Sequence, residues 1–277
     1  MGESVVAIPA PGAGEQRWAG APSAALDVDG AVYLAYRLRI TPDDVAQTIV
    51  ARSEDGERFE TVCELDKDRW DAFSVERPAL VRTDKGRWRI YVCPMTKNSK
   101  HWWIDVLEAD RPEGFADAES RTVFPGSDCL AVKDPIVQER DGRWHAWICC
   151  HPLDVPDEED RMTTAYATSA DGLTWEWHGT VLEPRPGRWD ARGARLTAIL
   201  PDGRAAYDGR ATKDENWFER TGLAESDGTR LVQTGDAPVS VARYLDVIPL
   251  PHGGYRVYYE WPTPGQSHEL RTELIAS

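Results

Sequence analysis

Residues 133–147 read KDPIVQERDGRWHAW. Asp134-Pro135 opens a short apolar run, Ile136-Val137. Asp141-Gly142 then supplies the positive φ that a tight hairpin turn requires. Beyond the turn, Trp144, Ala146 and Ile148 alternate with His145 and Trp147, the period of a strand with one buried face. Taken alone, the stretch is one β-hairpin. It is not alone. Residues 21–37 (APSAALDVDGAVYLAYR) and 77–93 (RPALVRTDKGRWRIYVC) follow the same plan, and residues 195–209 (RLTAILPDGRAAYDG) and 244–260 (YLDVIPLPHGGYRVYYE) follow it more loosely. The turn glycines are Gly30, Gly86, Gly142, Gly203 and Gly253, separated by 56, 56, 61 and 50 residues.

A second hairpin often follows the first, as in RSEDGERF (52–59), TSADGLTW (168–175) and ESDGTRL (225–231). Two hairpins make a four-stranded antiparallel sheet. Five such sheets, repeated radially, predict an all-β, five-bladed β-propeller with its blades around a central funnel. The competing architecture is a β-sandwich with coincidentally spaced turns. Helical patterning is almost absent, and KDENWFERTG (213–222) is the best short candidate. No linker or compositional break divides the chain, so residues 1–277 are expected to form one domain. Two irregular stretches, 94–101 and 151–161, each follow the second strand of a unit, where loops would rim a central pocket.

The bulk composition excludes several functions. Lys and Arg total 32 against 47 Asp and Glu, a net charge of −15. That balance opposes a nucleic-acid partner, which needs a cationic footprint. No apolar run approaches a membrane span. The opening residues, MGESVVAIPAPGAGEQ, have neither the basic nor the apolar region of a signal peptide. Five cysteines, with no CxxC pair, read as reduced thiols of a cytoplasmic protein. The twelve tryptophans against five phenylalanines point to a ring-packed β architecture or to stacking on a ligand.

At these residues the chain resembles the five-bladed propeller glycoside hydrolases of families 43 and 32. Asp134-Pro135 with its hairpin is similar to their DP blade. YATSADGLTWEWHGTVL (166–182) is similar to their recurrent S-x-D-G-x-x-W outer hairpin. The resemblance implies three carboxylates on the inner strands of successive blades: a base or nucleophile, an acid, and an Asp that tunes the acid. Glycosidic hydrolysis needs two carboxylates flanking the bond. Asp134 matches the tuning Asp. Ala21-Pro22-Ser23, however, stands where an Asp-Pro is expected. Arg192-Gly193-Ala194 stands where a Glu-Gly-Pro is expected. Both reacting carboxylates are therefore missing from their usual places.

Glu76, just before an inner strand, is one candidate to replace them. Asp208, following Tyr207 near the expected rim, and Glu219 are the others. The inner-strand starts also carry Arg77, Lys133, Arg192, Arg195 and Arg243, with Asp246 beside the last. An Arg fork matches a carboxylate or phosphate, so these residues suggest a small anionic or highly hydroxylated ligand. They equally suit structural pairing with Glu76, Asp134 and Asp246. Trp88, Trp144, Tyr33 and Tyr255 sit at equivalent hairpin positions and read as blade packing. Trp70, Trp102, Trp103, Trp189 and Trp217 fall outside that register and are candidates for stacking on a sugar, with His151 nearby. No spacing supports a metal site, and no cofactor is expected. The two functional readings are a glycoside-hydrolase-like enzyme using carboxylate acid/base chemistry on a small saccharide or polar metabolite, and a non-hydrolytic propeller. The latter would bind carbohydrate or reuse the funnel for other acid/base chemistry.

Overall fold

A computed structural model describes residues 4–41, 46–228 and 230–276. The start of the MGES stretch and Thr229 of the ESDGTRL turn lie outside these residues. The described chain is all β apart from three short 3-10 turns. One of these, Lys213–Glu215, is all that the KDENWFERTG segment makes of a helix.

The twenty strands form antiparallel hairpins in chain order. Strands β6 (Ala79–Arg82), β7 (Trp88–Val92), β8 (Ile104–Ala109) and β9 (Arg121–Phe124) make one four-stranded sheet. Strands β10 (Leu130–Arg140), β11 (Arg143–Pro152), β12 (Thr163–Ser169) and β13 (Trp175–Leu182) make a second. A third contains β14 (Gly193–Ile199), β15 (Ala205–Arg210), β16 (Arg220–Ser226) and β17 (Leu231–Thr234). The remaining eight strands form one larger sheet. One half holds β2 (Arg17–Leu26), β3 (Val32–Ile40), β4 (Ala46–Ser53) and β5 (Glu60–Asp66). The other holds β18 (Arg243–Pro249), β19 (Tyr255–Pro262) and β20 (His268–Ile275), with β1 (Val5–Ile8) paired to β20. The halves meet at a single parallel pair, Trp18 with His268.

The core lies between successive sheets rather than at one centre. Tyr33, Val50 and Leu65 pack on Leu80, Trp88 and Leu107. Tyr91, Val106 and Phe124 pack on Val137, Trp144 and Ile148. Ile136 and Leu182 pack on Leu196 and Tyr207. Burying such side chains is the main favourable term, about 1.5–3 kcal/mol each.

The S-x-D-G turns explain how neighbouring sheets lock together. In residues 168–175, Ser169 Oγ–H donates to Asp171 Oδ1 (2.9 Å), and Ser169 Oγ accepts from the Gly172 N–H (2.9 Å). Asp171 Oδ1 also accepts from the N–H groups of Leu173 and Thr174, both at 2.8 Å. The Tyr91 hydroxyl of the preceding sheet donates to Gly172 O at 2.9 Å, and Arg89 donates to Asp171 O. A Cβ on Gly172 would lie 2.5 Å from Arg89 and 2.7 Å from Trp144, and its φ is +70°. Ser53, Asp55 and Gly56 repeat the arrangement with Tyr258 and Arg256 as the clasp.

Candidate functional site

On β2, β10 and β18 the antiparallel register shifts at matching points, between Gly20 and Ser23, Lys133 and Ile136, and Arg243 and Asp246. In each bulge one residue adopts a left-handed conformation: Ala21 (φ 55°), Asp134 (φ 50°) and Tyr244 (φ 52°). Bulges re-aim side chains. Arg77 and Arg195 occupy the corresponding places near the starts of β6 and β14, and all five residues are almost wholly buried. Four of them, Arg77, Asp134, Arg195 and Tyr244, meet one another. Asp134 Oδ1 accepts from the Arg77 N–H (3.1 Å), and Asp134 Oδ2 accepts from Arg195 Nη1 (3.0 Å). Arg195 Nη1 also donates to the Tyr244 hydroxyl (2.7 Å), and its guanidinium lies 3.8 Å from the centre of the Tyr244 ring.

Above this layer lies a cavity of about 530 Å³. Glu76, Lys133, His151, Arg195, Glu219 and Arg243 line it, together with Tyr244. So do Trp18, Trp102 and Trp217, and both irregular stretches contribute, through Met95, Lys100, Glu159 and Asp160. Thus eight of the residues expected from sequence are brought together, Trp102 and Trp217 among them.

The other eight do not line the cavity, including Trp103, which stacks on His101. Asp134 is sealed beneath it. Asp208, expected near the rim, is fully buried: β15 is paired on both sides, and Asp208 Oδ2 accepts from Arg195 Nη2 at 2.7 Å. Arg77 lies below the centre, donating to Pro22 O and Thr197 O and facing Asp246 at 3.8 Å. Asp246 Oδ2 in turn accepts from the Ala24 N–H. Arg192 is held on the outer side by Glu158 and Asp160. The Trp70 indole N–H is shared by Asp105 and Ser120. Trp189 stacks on Tyr207 and fills space left open by Gly209 and Gly222.

The two candidate reacting carboxylates that line the cavity are clamped. Glu76 pairs with Arg37, rather than with Arg77 or Arg195. Burial opposes its ionisation, but Lys133, Arg37 and Arg39 outweigh that and hold the carboxyl below its ordinary value. Glu219 Oε1 accepts from Arg210 Nη1 and Oε2 lies against Arg243 Nη1, both at 2.7 Å. The second contact is off-axis, a charge pairing without a linear hydrogen bond. Burial again raises the Glu219 pKa, and Arg243, Arg210 and Arg195 together drive it well below the usual range. Asp134 is likewise held low against burial, by Lys133, Arg195 and Arg37. The carboxyls pushed up by burial are Asp208 and Asp246, neither of which reaches the cavity. Desolvation, reinforced by Lys133 and Arg210, keeps His151 neutral. Its Nδ1 lies 3.1 Å from Glu159 O and its Nε2 3.5 Å from Cys149 Sγ.

Sequence reasoning missed Arg37, Arg39, Trp18 and Glu260. Glu260 accepts from the Ala21 N–H (3.0 Å) and pairs with Arg37 and Arg243. Gly20 makes room for it, since a Cβ there would collide with the carboxylate. The available signal was that charged residues end the second strand of a unit, opposite the inner-strand start: Arg37 faces Gly20, and Glu260 faces Arg243.

No family model and no curated protein sequence matches the chain. Solved structures do. A thermostable family-43 glycoside hydrolase superposes with a TM-score of 0.69 at 14% identity, covering 98% of this chain and 91% of that one. An α-L-arabinofuranosidase from Lactobacillus brevis gives 0.66 at 15%, covering 92% and 90%. A β-1,2-mannobiose phosphorylase from Listeria innocua gives 0.61 at 13%, covering 93% and 89%. The fold is that of the β-propeller glycosidases. At these identities the likeness is one of fold, and the chemistry rests on the residues present.

Proposed function

We propose that the chain is one five-bladed domain that recognises a small saccharide in its central cavity and lacks two-carboxylate hydrolysis. The larger sheet is read as two blades, because among the described residues the strand pairing between its halves is the single Trp18–His268 pair. The Tyr258–Arg256 clasp on Gly56 also joins those halves as Tyr91–Arg89 joins separate sheets at Gly172. The glycosidase-type fold and the tryptophan-lined cavity support a sugar ligand. A cytoplasmic location is part of this reading, in keeping with cysteines that carry no disulfide; among the described residues no helix is long and apolar enough to cross a membrane.

One observation carries the argument against hydrolysis. Both cavity carboxylates proposed to react, Glu76 and Glu219, are held ionised by Arg and Lys, whereas a glycosidase acid must stay protonated near neutral pH. Asp134 then acts as a positioning residue, holding Arg195 and Tyr244 beside the ligand. The second reading, hydrolysis by Glu76 and Glu219, is favoured by their lining the same cavity. Titration with neutral mono- and disaccharides, followed by quenching of the cavity tryptophans, should show saturable binding. Chromogenic glycosides should show no turnover. Turnover that Glu219→Gln or Glu76→Gln abolishes would establish the hydrolase instead.

A further inference from the structure

Most buried cations at the cavity are committed to carboxylates. Arg37 holds Glu76 and Glu260, Arg243 holds Glu219 and Glu260, Arg210 holds Glu219 and Asp160, and Arg195 holds Asp134 and Asp208. Arg39 and Lys133 differ. Arg39 lies on β3, on the same face as Arg37, lines the cavity and is 7% exposed. Its guanidinium stacks 5.2 Å from the centre of the Trp18 ring. Among the described residues no carboxylate lies within ion-pair distance of it, and its Nε–H is buried with no acceptor. Lys133 also lines the cavity, with its side chain 12% exposed. Its Nζ sits 4.7 Å from the centre of the Trp102 ring and 3.9 Å from Asp134 Oδ2, beyond hydrogen-bond reach. Two buried cations thus face one cavity with donors to spare.

An unpaired buried charge is strongly unfavourable unless a partner compensates it. Burial, with the like charge of Arg37 and Arg243, outweighs the pull of Glu76 and lowers the Arg39 pKa, so its charge is incompletely compensated. Asp134 and Glu76 act on Lys133 from a distance and leave its hydrogen-bond donors open. A bound oxyanion would correct this. Guanidinium and ammonium groups are the usual donors to carboxylate and phosphate oxygens. Trp18 and Trp102 bring an apolar face beside each cation, suited to the C–H face of a pyranose.

We infer that the cavity takes a saccharide bearing a carboxylate or phosphate, whose oxyanion is held by Arg39 and Lys133 while its ring lies against Trp18 and Trp102. This rests on the saccharide reading above and adds the charge. The protein's net charge of −15 does not contradict it. Charge at a distance is screened by salt over about 8–10 Å, whereas these two cations lie in the wall of the site.

Isothermal titration calorimetry with glucose, glucuronate, glucose 6-phosphate and inorganic phosphate tests it, on the unaltered protein and on Arg39→Gln, Arg39→Lys and Lys133→Gln. At least one charged sugar should bind about tenfold or more tightly than glucose, as charge-assisted hydrogen bonds require. Arg39→Gln and Lys133→Gln should each remove most of that margin, with Arg39→Lys retaining part of it. The tighter of glucuronate and glucose 6-phosphate identifies the anion. Glucose binding as tightly as both charged sugars overturns the inference and leaves the saccharide reading standing. Inorganic phosphate binding as tightly as glucose 6-phosphate keeps the anion site and removes the saccharide. Absence of binding in every arm overturns both. If Arg39→Gln fails to fold, Lys133→Gln, at a less buried side chain, carries the test.

Discussion

The outer turns and the inner bulges of this molecule are both repeated devices, but they have been kept for different reasons. The turns at Ser53 and Ser169 share hydrogen bonds, glycine conformation and a Tyr–Arg clasp from the neighbouring strands. The bulges at Ala21, Asp134 and Tyr244 share only their backbone, with φ near 50° in each. Their side chains are a methyl group, a carboxylate and a phenol. Where a side chain holds strands together, its chemistry recurs. Where it faces the centre, the backbone alone recurs and the chemistry is free to change. Ala21 therefore occupies the same backbone frame as Asp134 without its carboxylate.

Mutation can break this comparison most severely at the centre. Arg195→Met leaves Asp134 and Asp208 buried without their shared cation, and it should cost about 3–5 kcal/mol in urea-induced unfolding. At the turns, Gly172→Val forces a branched side chain onto a left-handed backbone against Arg89 and Trp144. A loss of about 2–4 kcal/mol is expected from strain and overpacking together. A melting temperature unchanged by Gly172→Val would show that the clasp tolerates a side chain and that the turn is not fixed by packing.

The centre should also be the acid-sensitive region. Burial, with Arg243 and Arg37 adding to it against Glu260, lowers the His268 pKa from 6.5 to about 4. A folded-state pKa below the unfolded one means that stability is present above pH 6.5 and lost as pH falls towards 4. The full window corresponds to about 3 kcal/mol. Glu219, also depressed, adds loss of the same sign below its unfolded value of 4.5. Unfolding free energies measured from pH 7 to pH 4 should decline, and His268→Gln should flatten the upper part of the decline. The smallest effect belongs at the rim of a turn. Arg58→Ala removes an exposed partner of Asp55, and differential scanning calorimetry should find the melting temperature unmoved.

The strand order was legible because Asp-Gly turns and period-two alternation are local signals, and each hairpin closes within about twenty residues. The clustering of Glu76, Lys133, Arg195 and Arg243 was legible from inner-strand positions. Arg37 and Arg39 were not. In Tyr36-Arg37-Leu38-Arg39 the alternation is that of a strand with a solvated charged face, and burial of that face depends on Glu76 and Glu260 arriving from distant sequence. Trp70 and Trp189 looked available because they fall outside the hairpin register. In fact a distant carboxylate claims the Trp70 indole N–H, and two glycines open a slot for the Trp189 ring. Asp208 looked like a rim residue because it falls at the end of a second strand, yet that strand is interior to its sheet and the carboxylate is fully buried.

The pairing of β1 with β20 has a consequence for how the protein is made. Ser4 bonds to Tyr259 across 255 residues of chain, and Val5 sits opposite Thr272. Contacts so remote in sequence are late and slow to form. During synthesis the sheets between them can assemble in turn, each against its predecessor. β1 stays unpaired until β20 has left the ribosome, and until then its backbone is a template for a stray strand. The vulnerable moment is thus the interval before β1 and β20 meet, when the sheets between them in sequence can already be in place.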